Sequence, residues 1–343
     1  MNFKSKYQPT QKKMKMNSLK AAAAFGLSAL VVSSAAAQTA SKPVGYETVA
    51  INQQFNTFGL RLLGAPNVTS TVGAVAGTTV TLDAAPSADG SYIVEVNDNA
   101  LAGAVVTGTS TGADVVLSED LSAGLAVGDS ITLRATQTLA SVFGTESTLT
   151  GAASEGAADL VSVPDGSGGF STYWYFSGSF GGAGKGWRES GQVAGTIDPA
   201  LVTLVYTDGM VVTNRGADNS LVITGSVKTA PTTLGLTTQF NYVSSVYPAG
   251  STLDNSGLQS QLTAAASEGA ADLVSLPDGA GGFSTYWHFS GGFGGAGAGW
   301  RESGQVAGTI DAALVDLTSG MIVTNRGDAQ NADIVAPSFY ADL

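Results

Sequence analysis

Alternation of apolar and polar residues with a period of two recurs along the chain from about residue 44 onward, and it predicts β-strands almost throughout. The segments TTVTLDA (78–84), SYIVEVND (91–98), AVVTG (104–108), ADVVLSED (113–120) and DSITLRATQ (129–137) show it, with Gly, Asn and Asp at the breaks. A hairpin is expected from Asp159 to Pro164, turning at Asp165-Gly166-Ser167-Gly168-Gly169 and returning from Phe170 to Ser177. Helical periodicity is nearly absent; only short stretches such as Leu258 to Ala266 could form a turn or two. The 45 glycines lack a Gly-X-Y period and cluster between apolar runs, as tight turns require.

The pattern also repeats. Ala152–Val202 align without gaps on Ala265–Val315 and differ at six of 51 positions. GMVVTNRG (209–216) then matches GMIVTNRG (320–327), and a fainter match links TVAINQQFN (48–56) to TLGLTTQFN (233–241). The expected fold is therefore all-β, with two tandem related β-sandwich-like modules at 44–222 and 223–335 and a short C-terminal tail at 336–343. The first module is interrupted at about 70–143 by a small β-barrel-like or sandwich insertion.

Strand alternation divides the repeated hairpin strand into two faces. Phe170, Thr172, Trp174 and Phe176 are expected to face the core, leaving Tyr173 and Tyr175 on an amphipathic, solvent-accessible face. In the second copy that face carries Tyr286 and His288. Trp187 and Trp300 lie in Gly-rich GWRESG strings, where the ring could fold back over the sheet or stand as an exposed aromatic platform. Tyr173, Tyr175, Trp187, Tyr286, His288 and Trp300 together form the candidate ligand or interaction face.

Residues 1–37 read as a secretory signal peptide: six lysines precede the apolar stretch Ala21–Val32, and Ala35-Ala36-Ala37 fits a cleavage site. Removal leaves nine basic against twenty-seven acidic residues, a net charge of −18. That balance repels nucleic acid, so no nucleic-acid partner is expected. No later segment has the length and apolarity of a membrane helix, so no membrane span is expected in the mature chain. The complete lack of cysteine excludes disulfides and thiolate chemistry.

Catalytic constellations are correspondingly thin. His288 is the single histidine and its repeat partner is Tyr175, which leaves no general base for a hydrolytic triad and no histidine zinc site. Glu155, Asp159, Asp165, Glu189 and Asp198 recur as Glu268, Asp272, Asp278, Glu302 and Asp311. Paired carboxylates of this kind suit glycoside hydrolysis, whereas acids beside Gly-rich turns ordinarily cap them. Asp165, Asp278, Asp89 and Asp98 are conceivable calcium ligands, without EF-hand or GGxGxD spacing. Lys185 in GGAGKGW is followed by Gly and Trp and does not make a phosphate loop. No catalytic residue, metal or cofactor is expected.

PVGYETVAI (43–51), GDSITLRATQTLASVFG (128–144), ADLVSVPDGSGGFSTYWYF (158–176), GWRE ending at Glu189, and MVVTNRG (210–216) follow one another in a fixed order. That order resembles a paralogous family of exported, functionally uncharacterised β-rich proteins of verrucomicrobial bacteria. The resemblance implies export and a role at or beyond the outer membrane, and carries no catalytic residue. The expected function is a structural or interaction protein of the cell surface or extracellular matrix, self-associating through β edges; the periplasm is a further expected location. A polysaccharide- or surface-protein-binding module is the alternative, and a glycoside-acting enzyme the third reading.

Overall fold

In a computed structural model, residues 44–343 are described except 179–183, 193, 293–296 and 306; the signal segment at 1–37 lies outside the described residues. The fold is all-β, and its strands follow the period-two segments closely. β1 (Val44–Ile51) and β2 (Gln54–Gly59) open the first module. β3 (Pro66–Ala76), β4 (Thr79–Leu82), β5 (Gly90–Val96), β6 (Val105–Thr111), β7 (Asp114–Leu117) and β8 (Ser130–Ala135) close into a barrel in the order β3-β4-β7-β6-β5-β8. The barrel has its own core, in which Val72, Val80, Val94, Val115, Ile131 and Leu133 are buried on alternating strand positions.

The barrel strands thus span 66–135, a segment that begins and ends several residues before the expected 70–143. The next residues return to the first module: β9 (Gln137–Thr138) and the one-turn helix α1 (Leu139–Phe143) bury Leu139, Val142 and Phe143 in the main core. Thr138 caps α1 through a reciprocal side-chain pair with Ser141, which explains a helix in so β-rich a sequence. β10 (Leu160–Pro164), β11 (Phe170–Phe176), β12 (Gly186–Glu189), β13 (Thr203–Leu204), β14 (Gly209–Asn214) and β15 (Asn219–Ser226) complete the module. β16 (Thr232–Leu236), β17 (Gln239–Ser244), β18 (Leu273–Pro277), β19 (Phe283–Phe289), β20 (Gly299–Glu302), β21 (Gly320–Asn325) and β22 (Gln330–Ile334) form the second.

The two modules share one plan. Each has an antiparallel five-stranded sheet, β12-β11-β10-β14-β2 or β20-β19-β18-β21-β17, and a two-stranded ribbon, β1-β15 or β16-β22. Sheet and ribbon residues bury together in one continuous core that runs through both modules. The faint repeat at 48–56 and 233–241 is structural, since it supplies the same two strands to each module. The division between the modules also differs from expectation. β15 runs to Ser226, beyond the division at 222. The C-terminal tail packs onto the second module: Tyr340 is buried, meets Tyr247 edge-on with ring centres 5.5 Å apart, and its hydroxyl accepts from Ala249 N at 3.1 Å. Leu258–Ala266 yields a single 3-10 turn at Leu258–Ser260.

The modules meet across a pseudo-two-fold joint that only glycine permits. A Cβ on Gly209 would lie 2.8 Å from Val243 N, and one on Gly320 would lie 2.5 Å from Phe58 Cα. These are the same contact made twice, because Gly209 aligns with Gly320 and Phe58 with Val243. At the centre Gly59 meets its own counterpart, Ser244, with a Cβ separation that would be 2.3 Å. Backbone bonds lock the approach: Ser244 N donates to Thr207 O at 2.9 Å and Ser245 N to Ser319 O at 3.1 Å.

A buried charge cluster ties the barrel to this pair. Glu95 of β5 forms ion pairs with Arg134, Nε at 2.8 Å, and Lys228, Nζ at 3.3 Å, and accepts a hydrogen bond from the Tyr206 hydroxyl at 2.6 Å. Burial raises the Glu95 carboxyl, but Lys228 and Arg134 outweigh it and hold the group below its usual range. Burial, then the adjacent carboxylate, pushes the Tyr206 phenol well above its own. Removing one member would strand the others in a dry site.

Gly209→Ala and Gly320→Ala are each expected to destabilise the protein by about 1–3 kcal/mol through overpacking of backbone on backbone. Gly235→Ala, at a position with open space around it, is expected to be neutral. Urea unfolding followed by tryptophan fluorescence measures all three.

Candidate functional site

The six aromatic residues expected to make a ligand face do not form one. Trp187 and Trp300 are 1% and 2% exposed, and His288 is buried at 9%. Tyr173, Tyr175 and Tyr286 are half-buried and pack against the main core. Trp187 donates its indole N–H to Gly144 O at 3.0 Å and meets Tyr175 edge-on at 5.9 Å. Trp300 meets His288 likewise at 5.7 Å.

The face assignment is reversed. Period two separates two faces but does not say which turns inward, and here the tyrosine face does. Trp174 and Phe176 lie on the other side, where they are buried in a small separate cluster with Ala158. The Arg188 guanidinium covers them, 3.8 Å from the Phe176 ring centre, and Arg301 sits 3.7 Å over Phe289 in the second module. The GWRE string therefore supplies a tryptophan to the core and an arginine to the opposite face of one short strand.

The recurring carboxylates are occupied by the chain itself. Asp159 accepts from Thr150 N and Arg215 N, both at 2.7 Å, and Asp272 makes the matching bonds to Thr263 N and Arg326 N at 2.7 and 2.8 Å. Glu155 and Glu268 accept from Ser190 and Ser303 hydroxyls at 2.6 and 2.7 Å. Asp165 and Asp278 close their hairpin turns by accepting backbone N–H bonds of 2.7–2.9 Å. Asp198 and Asp311 accept from Ala200 N and Ala313 N. Asp89 accepts from Gly112 N at 2.7 Å and Asp98 from Ser130 N at 3.0 Å. Among the described residues no three His, Asp or Glu side chains gather as a metal site.

The basic residues are equally engaged. Arg61 pairs with Glu47, Arg134 and Lys228 with Glu95, and Arg188 and Arg301 lie over aromatic rings. Arg215 and Arg326 donate to the backbone carbonyls of Ala158 and Gly269. Among the described residues this leaves Lys185 as the exposed basic side chain outside such contacts. The accessible charge is overwhelmingly acidic.

Exposed aromatic surface occurs instead at a place the sequence reading passed over, the tripeptide Gln-Phe-Asn that opens β2 and β17. Phe55 and Phe240 are 65% and 66% exposed. Gln54 and Gln239 hold φ of 85° and 78°, a left-handed conformation that disfavours a side chain. Asn56 clamps the corner, accepting from Asn52 N at 2.8 Å and donating to Asn52 O at 2.7 Å and Val212 O at 3.3 Å. Asn241 repeats this with Thr237 N, Thr237 O and Val323 O at 2.8, 2.9 and 3.2 Å.

Each corner borders a concavity. Gln54 and Phe55 line a groove of about 580 Å³ between the modules, faced by the second module's hairpin at Gly279–Phe283 and by Thr318 and Ser319. Gln239 and Phe240 line one of about 520 Å³ with Gly269, Ala270, Leu273, Thr324 and Arg326. The pseudo-two-fold is broken at the groove. Phe170 is met edge-on by Tyr242 at 4.8 Å, whereas the counterpart of Tyr242 is Thr57 and Phe283 has no such ring against it; the two phenylalanines are 37% and 43% exposed.

His288 shows what separates the two tryptophan environments. Both its ring nitrogens are buried without a hydrogen-bond partner, and burial depresses its pKa. The neutral form is therefore favoured in the fold, and stability on this account falls as pH drops below the unfolded histidine value of about 6.5. His288→Tyr, which installs the first module's residue, is expected to gain stability relative to the parent between pH 7.5 and pH 5; thermal melts across that range measure it. Comparison with protein-family models, curated proteins and solved structures finds no match to this chain.

Proposed function

We propose that this chain is an exported structural or interaction protein of the cell surface or extracellular matrix, acting by the surfaces it presents and not by catalysis. The observation that carries the reading is the internal use of its repeated polar groups. Every carboxylate that could have served glycoside chemistry in pairs, apart from Glu189 and Glu302, accepts hydrogen bonds that shape its own turns and loops. Such groups are fixed as architecture, and hydrolysis needs one acid and one base free to face a substrate.

Self-association through β edges belongs to the same proposal, with the available edges now named. The outer edges β12 and β20 are covered, because Ile197 N donates to Trp187 O at 2.8 Å and Ile310 N to Trp300 O at 2.9 Å. β2 and β17 end their sheets on the other side; the joint takes up their last residues, Phe58–Gly59 and Val243–Ser244, so only their opening residues, with Phe55 and Phe240, are presented. An acidic surface opposes pairing of copies at low ionic strength, so association is expected to strengthen with salt. Export and surface location rest on the N-terminal sequence and on the resemblance to exported verrucomicrobial proteins.

Cell fractionation, with electron microscopy and salt-dependent size-exclusion chromatography of residues 38–343, tests the reading. Recovery from the surface fraction together with salt-promoted assemblies is the expected result. A protein found in the cytoplasm, or one that stays monomeric at all salt concentrations and is absent from the surface, contradicts it.

A further inference from the structure

The segments 48–56 and 233–241 have diverged at five of nine positions, yet both end in Gln-Phe-Asn. The asparagine has a structural reason to persist, since it clamps the corner in both modules. The glutamine has none: at a φ near 80° glycine or asparagine is the favoured residue, and among the described residues neither glutamine side-chain amide bonds to the protein. Nor does packing explain a phenylalanine left about two-thirds exposed at both sites. Retention of a strained glutamine beside an exposed ring, twice, calls for something outside the chain.

We propose that Gln54–Phe55 and Gln239–Phe240 are two equivalent binding corners for a neutral polysaccharide. A phenyl face offers an apolar platform for the C–H surface of a sugar ring, and a primary amide both donates to and accepts from hydroxyls. The first corner opens onto the groove lined also by the partly exposed Phe283, with Thr318 and Ser319 beside it. Charge selects the ligand class. Acidic groups far outnumber basic ones, and Arg326 beside the second corner is held by the Gly269 carbonyl, so polyanionic glycans are repelled, while a neutral chain meets no penalty. Two corners on one rigid body would engage one chain twice or bridge two chains, which raises avidity without a deep site.

This assignment deepens the interaction reading, and its test uses purified protein, so it fails or succeeds independently of where the protein resides. Affinity electrophoresis of residues 38–343 through gels containing laminarin, hydroxyethyl cellulose, galactomannan or xylan, with alginate as the anionic control, reads binding directly. Retardation by at least one neutral polymer and none by alginate is expected. Phe55→Ala and Phe240→Ala should each weaken it by about three- to tenfold, and the double variant should lose it. Gln54→Gly and Gln239→Gly relieve the backbone conformation, so they are expected to keep or raise the melting temperature while weakening retardation; a merely structural glutamine would not give that split. No retardation by any of the four neutral polymers, or retardation unchanged in the double variant, overturns the proposal. So does conversion of a dimer to a monomer by the double variant without any change in retardation, which would make a second copy the occupant.

Discussion

The close approach of two sheets at Gly59, Gly209 and Gly320 is the constraint on which the rest of the molecule depends. Those positions put backbone against backbone, so that the two modules share one core. The contact is isologous in the sense of a two-fold dimer, with Gly209 against Val243 answered by Gly320 against Phe58. A tandem duplication has thus been assembled as an internal dimer. The same joint sets the groove, since one wall comes from β2 of the first module and the other from the β18–β19 hairpin of the second.

The joint also fixes how the added parts are carried. The barrel is inserted between β2 and β9, and the buried Glu95 cluster anchors it through Tyr206 of the first module and Lys228 of the link between modules. Its Gly103 O accepts from Thr233 N at 2.9 Å, so it touches the edge of the second module as well. An insertion held by both modules adds a further brace across the joint. The polar residues that repeat through the chain serve this frame, and the chemistry left facing outward is acidic, amide and phenyl.

Much of the frame was legible in the sequence. Period-two segments located the barrel strands, and the near-identical block at 152–202 and 265–315 located the repeated hairpin. Two things were not legible. Alternation could not say which face of β11 turns inward, because both faces are covered, one by the core and the other by Arg188 acting as an apolar lid through its guanidinium plane. The binding corners were missed for the opposite reason. Gln-Phe-Asn was visible as a faint repeat, but only the positive φ at Gln54 and Gln239 separates a residue kept for the fold from one kept against it. High identity elsewhere masked the signal, since near-identical copies retain everything, and it is the diverged segment that distinguishes what had to stay.

If the joint makes one body of the two modules, their inner strands must open together. Native-state hydrogen exchange of backbone amides in β14 and β21 measures this directly, since the two strands are equivalent in sequence and lie on opposite sides of the joint. The account predicts the same opening free energy for both, equal to that of global unfolding. Protection in β21 that is lost at markedly lower free energy than in β14 would show the second module opening alone, and would contradict it.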